Sequence, residues 1–241
     1  MESGESRGIV FRLVGGVAVR LRCPSSAVPP LARSFHDVDL VGLGEQRRTI
    51  QHFMGDIGYQ ADEKLNVLHG RTRLFFWDPG HRREVDVFLD AFEMCHIVEL
   101  GSRLRVDRFT ISLADMLLTK LQVFQTDEKD YKDIIAILLD HELTTDDETG
   151  INVQRITSLA RNDWGLWRTL TDVLGRAQDY ARTLPLPLPG THAIEDQVRA
   201  LLQSLHQVPK SVRWRLRSWV GDRVRWYQLP EATAWEMERN P

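Results

Sequence analysis

The hydrophobic pattern of this 241-residue chain changes period near Thr110, and that change sets its fold class. Before it, short β-branched and aromatic runs recur between Gly, Pro, Asp and Asn punctuation: "IVFRLV", "DVDLVG", "LNVLHG", "TRLFFW", "EVDVFLD" and "HIVEL". Such runs predict strands. From "TISLADMLLTKLQVFQ" onward, apolar residues fall at Leu113, Met116, Leu117, Leu121 and Phe124, a helical spacing, with Ser112 and Asp115 placed as an acidic variant of the capping box. A second helix is expected over "KDYKDIIAILLDHEL", with Ile134, Ile135, Leu138 and Leu139 as its buried stripe. Beyond residue 143 the chain reads as helices only, interrupted at "PLPLPG", where alternating prolines favour an extended connection. The expectation is α+β: a mixed sheet flanked by helices over residues 1–143, then a helical C-terminal domain over 144–241.

An apolar fraction of 42% supports a sizeable core, and 27% charged residues with a net charge of −3 indicate a globular chain and argue against disorder. Affinity for nucleic acid would need a local basic patch, because the whole-molecule field is slightly negative. Cys23 and Cys95 lie in no metal-ligand spacing, so neither a disulfide framework nor a structural zinc site is expected. With no signal peptide and no long apolar run, the expected location is cytoplasmic, without membrane association.

"ARSFHDVDLVG" (residues 31–41) carries Asp37 and Asp39 inside an otherwise apolar stretch. Strand alternation puts both carboxylates on one face with Arg33 and Phe35, and turns His36 inward beside Val38 as a structural histidine. Like charges so close raise each other's pKa unless a cation relieves them. Asp86 in "REVDVFLD" sits in the same local pattern, with Glu84 on its face. Three aspartates on two neighbouring strands form a hard oxygen site suited to Mg²⁺. Upstream, "FRLVGGVAVRL" runs a strand into Gly15 and Gly16 and then a helix start, an arrangement that admits phosphate to free backbone N–H groups. Arg33 and Arg71 or Arg73 are candidates to meet phosphate, with solvated strand arginines as the default reading. Lys129 and Asp133 are four residues apart, an ordinary helix ion pair by spacing.

In order, "LVGGVAVRL", "RSFHDVDLVG", "EVDVF", "LADMLLTKLQVF" and "KDYKDIIAILL" resemble the nucleotidyltransferase superfamily with the DNA polymerase β-like palm, and most closely its AbiEii-type toxin branch, over roughly residues 10–140. The resemblance implies that Gly15 and Gly16 bind a nucleoside triphosphate and that Asp37, Asp39 and Asp86 carry Mg²⁺. The third carboxylate, Asp86, would also assist the attacking hydroxyl. It assigns Lys120 to the helix lysine of the family, and Lys129, Asp130 and Asp133 to its "KD..D" segment. The implied catalytic set is Asp37, Asp39, Asp86, Lys120 and Asp133; the implied nucleotide-binding set is Gly15, Gly16, Lys120 and Asp130. The activity would be Mg²⁺-dependent transfer of a nucleoside monophosphate from an NTP to a hydroxyl, with tRNA or another RNA as acceptor and an antitoxin as partner. Two other readings stay open: an inactive nucleotide- or RNA-binding module of the same fold, and a small-molecule enzyme of the aminoglycoside type.

Between Lys210 and Arg225 six Lys or Arg stand against one Asp, interleaved with Trp214 and Trp219 and followed by Trp226. The composition suits a nucleic-acid surface. The reading preferred here is a helix with its tryptophans packed inward and its arginine stems covering apolar neighbours.

Overall fold

The computed structural model describes residues 1–229; residues 230–241, the end of the expected C-terminal domain, lie outside the described residues. The chain opens with α1 (Glu2–Glu5), β1 (Phe11–Val14), α2 (Gly15–Arg22), β2 (Asp37–Gly42) and α3 (Arg47–Asp56). It continues through β3 (Gln60–Ala61), α4 (Glu63–His69), β4 (Arg73–Asp78), β5 (Arg83–Leu89), β6 (Ala91–Glu93) and β7 (Ile97–Glu99). Then come α5 (Leu113–Leu121), α6 (Glu128–Asp140), β8 (Leu143–Thr144), β9 (Ile151–Asn152), α7 (Val153–Ala160), α8 (Trp164–Thr183), α9 (Leu188–Gln207) and α10 (Val212–Val220). The fold is mixed α+β.

The main sheet has the order β1-β2-β5-β4-β3, antiparallel throughout except for the parallel β2–β5 pair. Alternation assigns each face a task. Val38, Leu40, Val85, Val87, Leu74 and Phe76 belong to a cluster with Ile50, Phe53 and Met54 of α3. The opposite face packs Val41 and Phe88 against α2, α5 and α6 at one end of the strands. Asp37, Asp39, Glu84 and Asp86 share this second face at the other end. Sheet geometry therefore concentrates carboxylates where helix packing stops.

Eight of the nine residues of α5 are buried, and Lys120 is the exception. A helix apolar nearly all round is a central core element, so its lysine must be aimed at a polar cavity. The helices after residue 143 pack on the same core, which runs without interruption from Val10 to Leu205. A buried carboxylate reinforces that contact: Asp115, 1% exposed, accepts from Nε of Arg103 and Nε of Arg155, both at 2.7 Å, tying α5 to the first turn of α7.

Four expectations are corrected. "LNVLHG" lies within α4 and not in a strand, because Asp62 accepts from the Leu65 N–H at 2.9 Å as an N-cap and the run can then wind with Val67 and Leu68 outward. The region after residue 143 is not purely helical: β8 and β9 form a short parallel pair. The break at "PLPLPG" is shorter than expected, since α9 starts at Leu188 with Pro189 in its first turn, where a missing N–H costs nothing. Finally, β2 begins only at Asp37, so strand alternation does not extend to residues 33–36; His36 is exposed, not inward.

In the tail, Trp226 packs edge-on against Phe124 and Trp164, and its indole N–H donates to Thr169 Oγ1 at 3.1 Å. Trp214 packs on Trp167. Arg217 and Lys210 cover Trp164 and Trp214 respectively, so Trp214 and Trp226 pack against the preceding helices half-buried, while α10 itself buries no residue. Trp219 departs from the preferred inward reading, 81% exposed. No helix among the described residues is long and apolar enough to cross a membrane.

Candidate active site

A cavity of about 470 Å³ opens over the carboxylate end of the sheet, lined among others by Gly15, Gly16, Arg33, Asp37, Asp39, Arg73, Glu84, Lys120, Lys129 and Asp130. Its floor is the β2–β5 pair. Asp39 lies directly opposite Asp86 and Asp37 opposite Glu84. The half-buried Asp39 carboxyl is pushed up to about 7 by burial first, then by Asp37 and Asp86; Arg73 and Lys120 oppose the shift. This is the electrostatic signature of crowded carboxylates that their neighbouring cations do not neutralise.

The cations are committed elsewhere. Arg73, on β4, is bonded to Asp86 and lies over the rings of Phe75 and Phe88. Lys120 Nζ sits 2.8 Å from Asp133 and 3.2 Å from Asp130. Burial works against its charge, but Asp133 and Asp130 outweigh that and hold its pKa above the ordinary lysine value. Arg33 grips Asp133 through Nε at 2.9 Å and Nη2 at 2.7 Å. Asp133, 3% exposed in its side chain, is thus the buried anchor of two cleft cations. Asp130 also caps α6, where its amide donates to Asp127 Oδ1 and its carboxylate accepts from the Asp127 amide.

β1 enters the cavity through the glycine pair. Gly15 has φ +70°, a conformation costly for any other residue, and a Cβ there would collide with Asp39 Oδ2. A Cβ on Gly16 would meet the Arg33 guanidinium and the Phe35 ring. The pair is therefore required by the close approach of a carboxylate and a cation. Gly15→Ala is expected to add about 1–2 kcal/mol of backbone strain and to displace Asp39. Any transfer activity should then drop more than ~100-fold while circular dichroism still reports a folded chain.

The structure thus gathers every sequence-assigned residue at or beside one cleft. Asp86 and Asp133 lie behind its lining, each held by an arginine. Two pairings differ from expectation. Lys129 reaches Asp127 at 3.4 Å, not Asp133, whose carboxylate is taken by Lys120 and Arg33. Arg33 and Arg73 are not solvated strand arginines but buried-carboxylate partners. Arg73 was legible in the alternation of "RLF" opposite "DVF"; Arg33 lies in a loop whose course no periodicity reveals.

Fit to a divalent cation rests on the donor set. Among the described residues no three His, Cys, Asp or Glu side chains stand together as a ready-made metal cluster. Asp37 and Asp39, on one face and mutually repelling, are hard oxygen donors that a cation would relieve, and Mg²⁺ takes only one or two carboxylates when water and phosphate complete its sphere. The pair fits such an ion; Asp86 could join it only by leaving Arg73.

No protein-family model matches the chain, and no curated protein matches it. Among solved structures, the chain is similar to the lincomycin-bound lincosamide antibiotic adenylyltransferase LnuA, with a TM-score of 0.38 and 15% identity over 55% of this chain and 88% of that one. It is also similar to the antibiotic-resistance factor ANT(2'')-Ia, with a TM-score of 0.37 and 14% identity over 55% of this chain and 75% of that one.

Proposed function

We propose that the chain is a nucleotidyltransferase, moving a nucleoside monophosphate from an NTP to a hydroxyl acceptor as the α–β phosphoanhydride bond breaks and pyrophosphate leaves. The observation that carries this reading is the convergence of Asp37 and Asp39 on a positive-φ glycine turn, with Lys120 and Arg33 across the same cavity. The triphosphate lies over Gly15 and Gly16, where backbone N–H groups at the start of α2 point outward. Asp37 and Asp39 would hold Mg²⁺. When bound, the ion neutralises phosphate oxygens and makes the attacking hydroxyl more acidic. Lys120, oriented by Asp130 and Asp133, adds a fixed positive charge toward the phosphates. Asp86, beside the carboxylate pair, takes the proton of the acceptor hydroxyl once Arg73 yields it.

On the AbiEii-type resemblance the acceptor is an RNA such as tRNA and the partner an antitoxin. A second reading of the acceptor has an observation behind it. A cavity of about 380 Å³ adjoins the first on the same sheet face, lined by Phe75, Trp77, Glu84 and Asp86 and bounded by β3. Its size and its aromatic, acidic walls suit a compact acceptor with an apolar face and a cationic group.

The test is transfer of label from [α-³²P]NTPs with Mg²⁺, offered total RNA in one series and small hydroxyl-bearing amines in another. Wild-type protein is expected to label one acceptor class, and Asp39→Ala to lose at least ~1,000-fold. Label in neither series, or equal label from both proteins, contradicts the assignment.

A further inference from the structure

We infer that Arg33 is the guanidinium that binds the phosphate groups of the nucleotide, an inference that rests on the nucleotidyltransferase reading and adds a phosphate-binding residue to it. Three contacts clamp the side chain. Nε and Nη2 bond both oxygens of Asp133, the face lies over the Phe35 ring with 4.4 Å from guanidinium carbon to centroid, and Nη2 presses on Gly16, where a Cβ would collide with it. A long side chain fixed in this way has already lost the rotamer freedom that binding would otherwise cost.

What is left of the fork faces the cavity. Nη1 has only a 3.3 Å bond to the Ser34 carbonyl, while Arg33 and Ser34 both line the cavity beside Gly15 and Gly16. The planar donors therefore meet the start of α2 at one spot. Phosphate there receives N–H groups from the backbone and from a bidentate-capable cation. A counter-ion role alone does not explain this arrangement, because Asp133 already has Lys120 at 2.8 Å. Nor does it explain a glycine kept at residue 16 to admit the guanidinium. Lysine offers a point charge without the planar fork, so it would hold neither Asp133 nor phosphate in the same way.

The experiment uses the full chain without metal. Mant-labelled ATP, CTP, GTP and UTP are titrated into wild type and Arg33→Lys, and the matching unphosphorylated nucleoside is used as competitor. The expected result is a loss of at least ~10-fold in triphosphate affinity, with nucleoside affinity unchanged in a variant that circular dichroism reports as folded. In parallel, phenylglyoxal modification of wild-type Arg33, followed by peptide mass spectrometry, is expected to be blocked by inorganic triphosphate and not by nucleoside. Wild type that binds triphosphate while Arg33→Lys binds it equally, or Arg33 modification indifferent to triphosphate, overturns the inference and leaves the nucleotide reading standing. Equal loss of triphosphate and nucleoside in the variant overturns it too, marking a structural role. Wild type that binds no triphosphate overturns the nucleotide reading and the inference together.

Discussion

Lys120→Met is expected to lower the unfolding free energy by about 3 kcal/mol, the lower end of the cost of breaking a buried ion pair, and to abolish transfer activity. The Lys120 side chain is 12% exposed, and its ammonium stands between the side chains of Asp133, 3% exposed, and Asp130, 13% exposed. Its removal leaves two carboxylates of α6 at or behind the lining of a cavity that already holds Asp37 and Asp39. Arg33 still grips Asp133, which keeps the loss from being larger. Methionine preserves the length and apolar body of the side chain, so packing on α5 is little altered. Adding Asp130→Asn is expected to return part of the lost stability, because one uncompensated charge disappears, yet to restore no activity. Urea denaturation reads the first effect and label transfer the second. A stability loss below ~1 kcal/mol would mean that Lys120 behaves as an ordinary surface lysine.

Asp39→Asn is expected to have the opposite effect on stability and the same effect on function. The folded-state pKa of Asp39, about 7, lies above the ordinary value of 3.8 because burial and the carboxylates of Asp37 and Asp86 disfavour its charge. Between those two values the folded chain binds the proton that the unfolded chain releases. Its stabilising contribution is thus complete below pH 4 and is lost as pH rises through about 7. At pH 8 wild type carries the whole penalty, and removing the charge should raise stability by roughly 1–2 kcal/mol, a value discounted from the full shift for the half-buried setting. At pH 4 the two proteins should melt alike. Millimolar Mg²⁺ should raise the melting temperature of wild type at pH 8 and leave the variant unmoved. Thermal melts over this pH range, with and without Mg²⁺, check both halves.

The legible part of the site was the part built on periodicity. Asp37, Asp39 and Asp86 follow from period-two alternation on two strands, and the parallel β2–β5 register then sets Asp39 opposite Asp86. Lys120 was legible through the family resemblance, which places a lysine near the end of α5, and not through periodicity. The region around Arg33 was not, because residues 31–36 form a loop whose path depends on its tertiary partner Asp133, 100 residues away. The same limit explains His36: extending strand alternation upstream of Asp37 turned it inward, whereas the chain is irregular there and leaves it exposed. α4 was missed for a local reason, since a β-branched and leucine-rich run of six residues suits either state and the Asp62 cap decided it. In the tail, composition could not separate Trp214 and Trp226, which pack against the preceding helices, from Trp219, which does not.

The most direct measurement is a titration of Mn²⁺, as a paramagnetic stand-in for Mg²⁺, into the chain at pH 8 followed by electron paramagnetic resonance, in wild type, Asp37→Asn and Asp39→Asn. The account predicts that wild type takes up the ion, that a non-hydrolysable NTP tightens its binding, and that each substitution weakens it by at least ~10-fold. Equal uptake by all three proteins, or no uptake by wild type even with the nucleotide present, would contradict it.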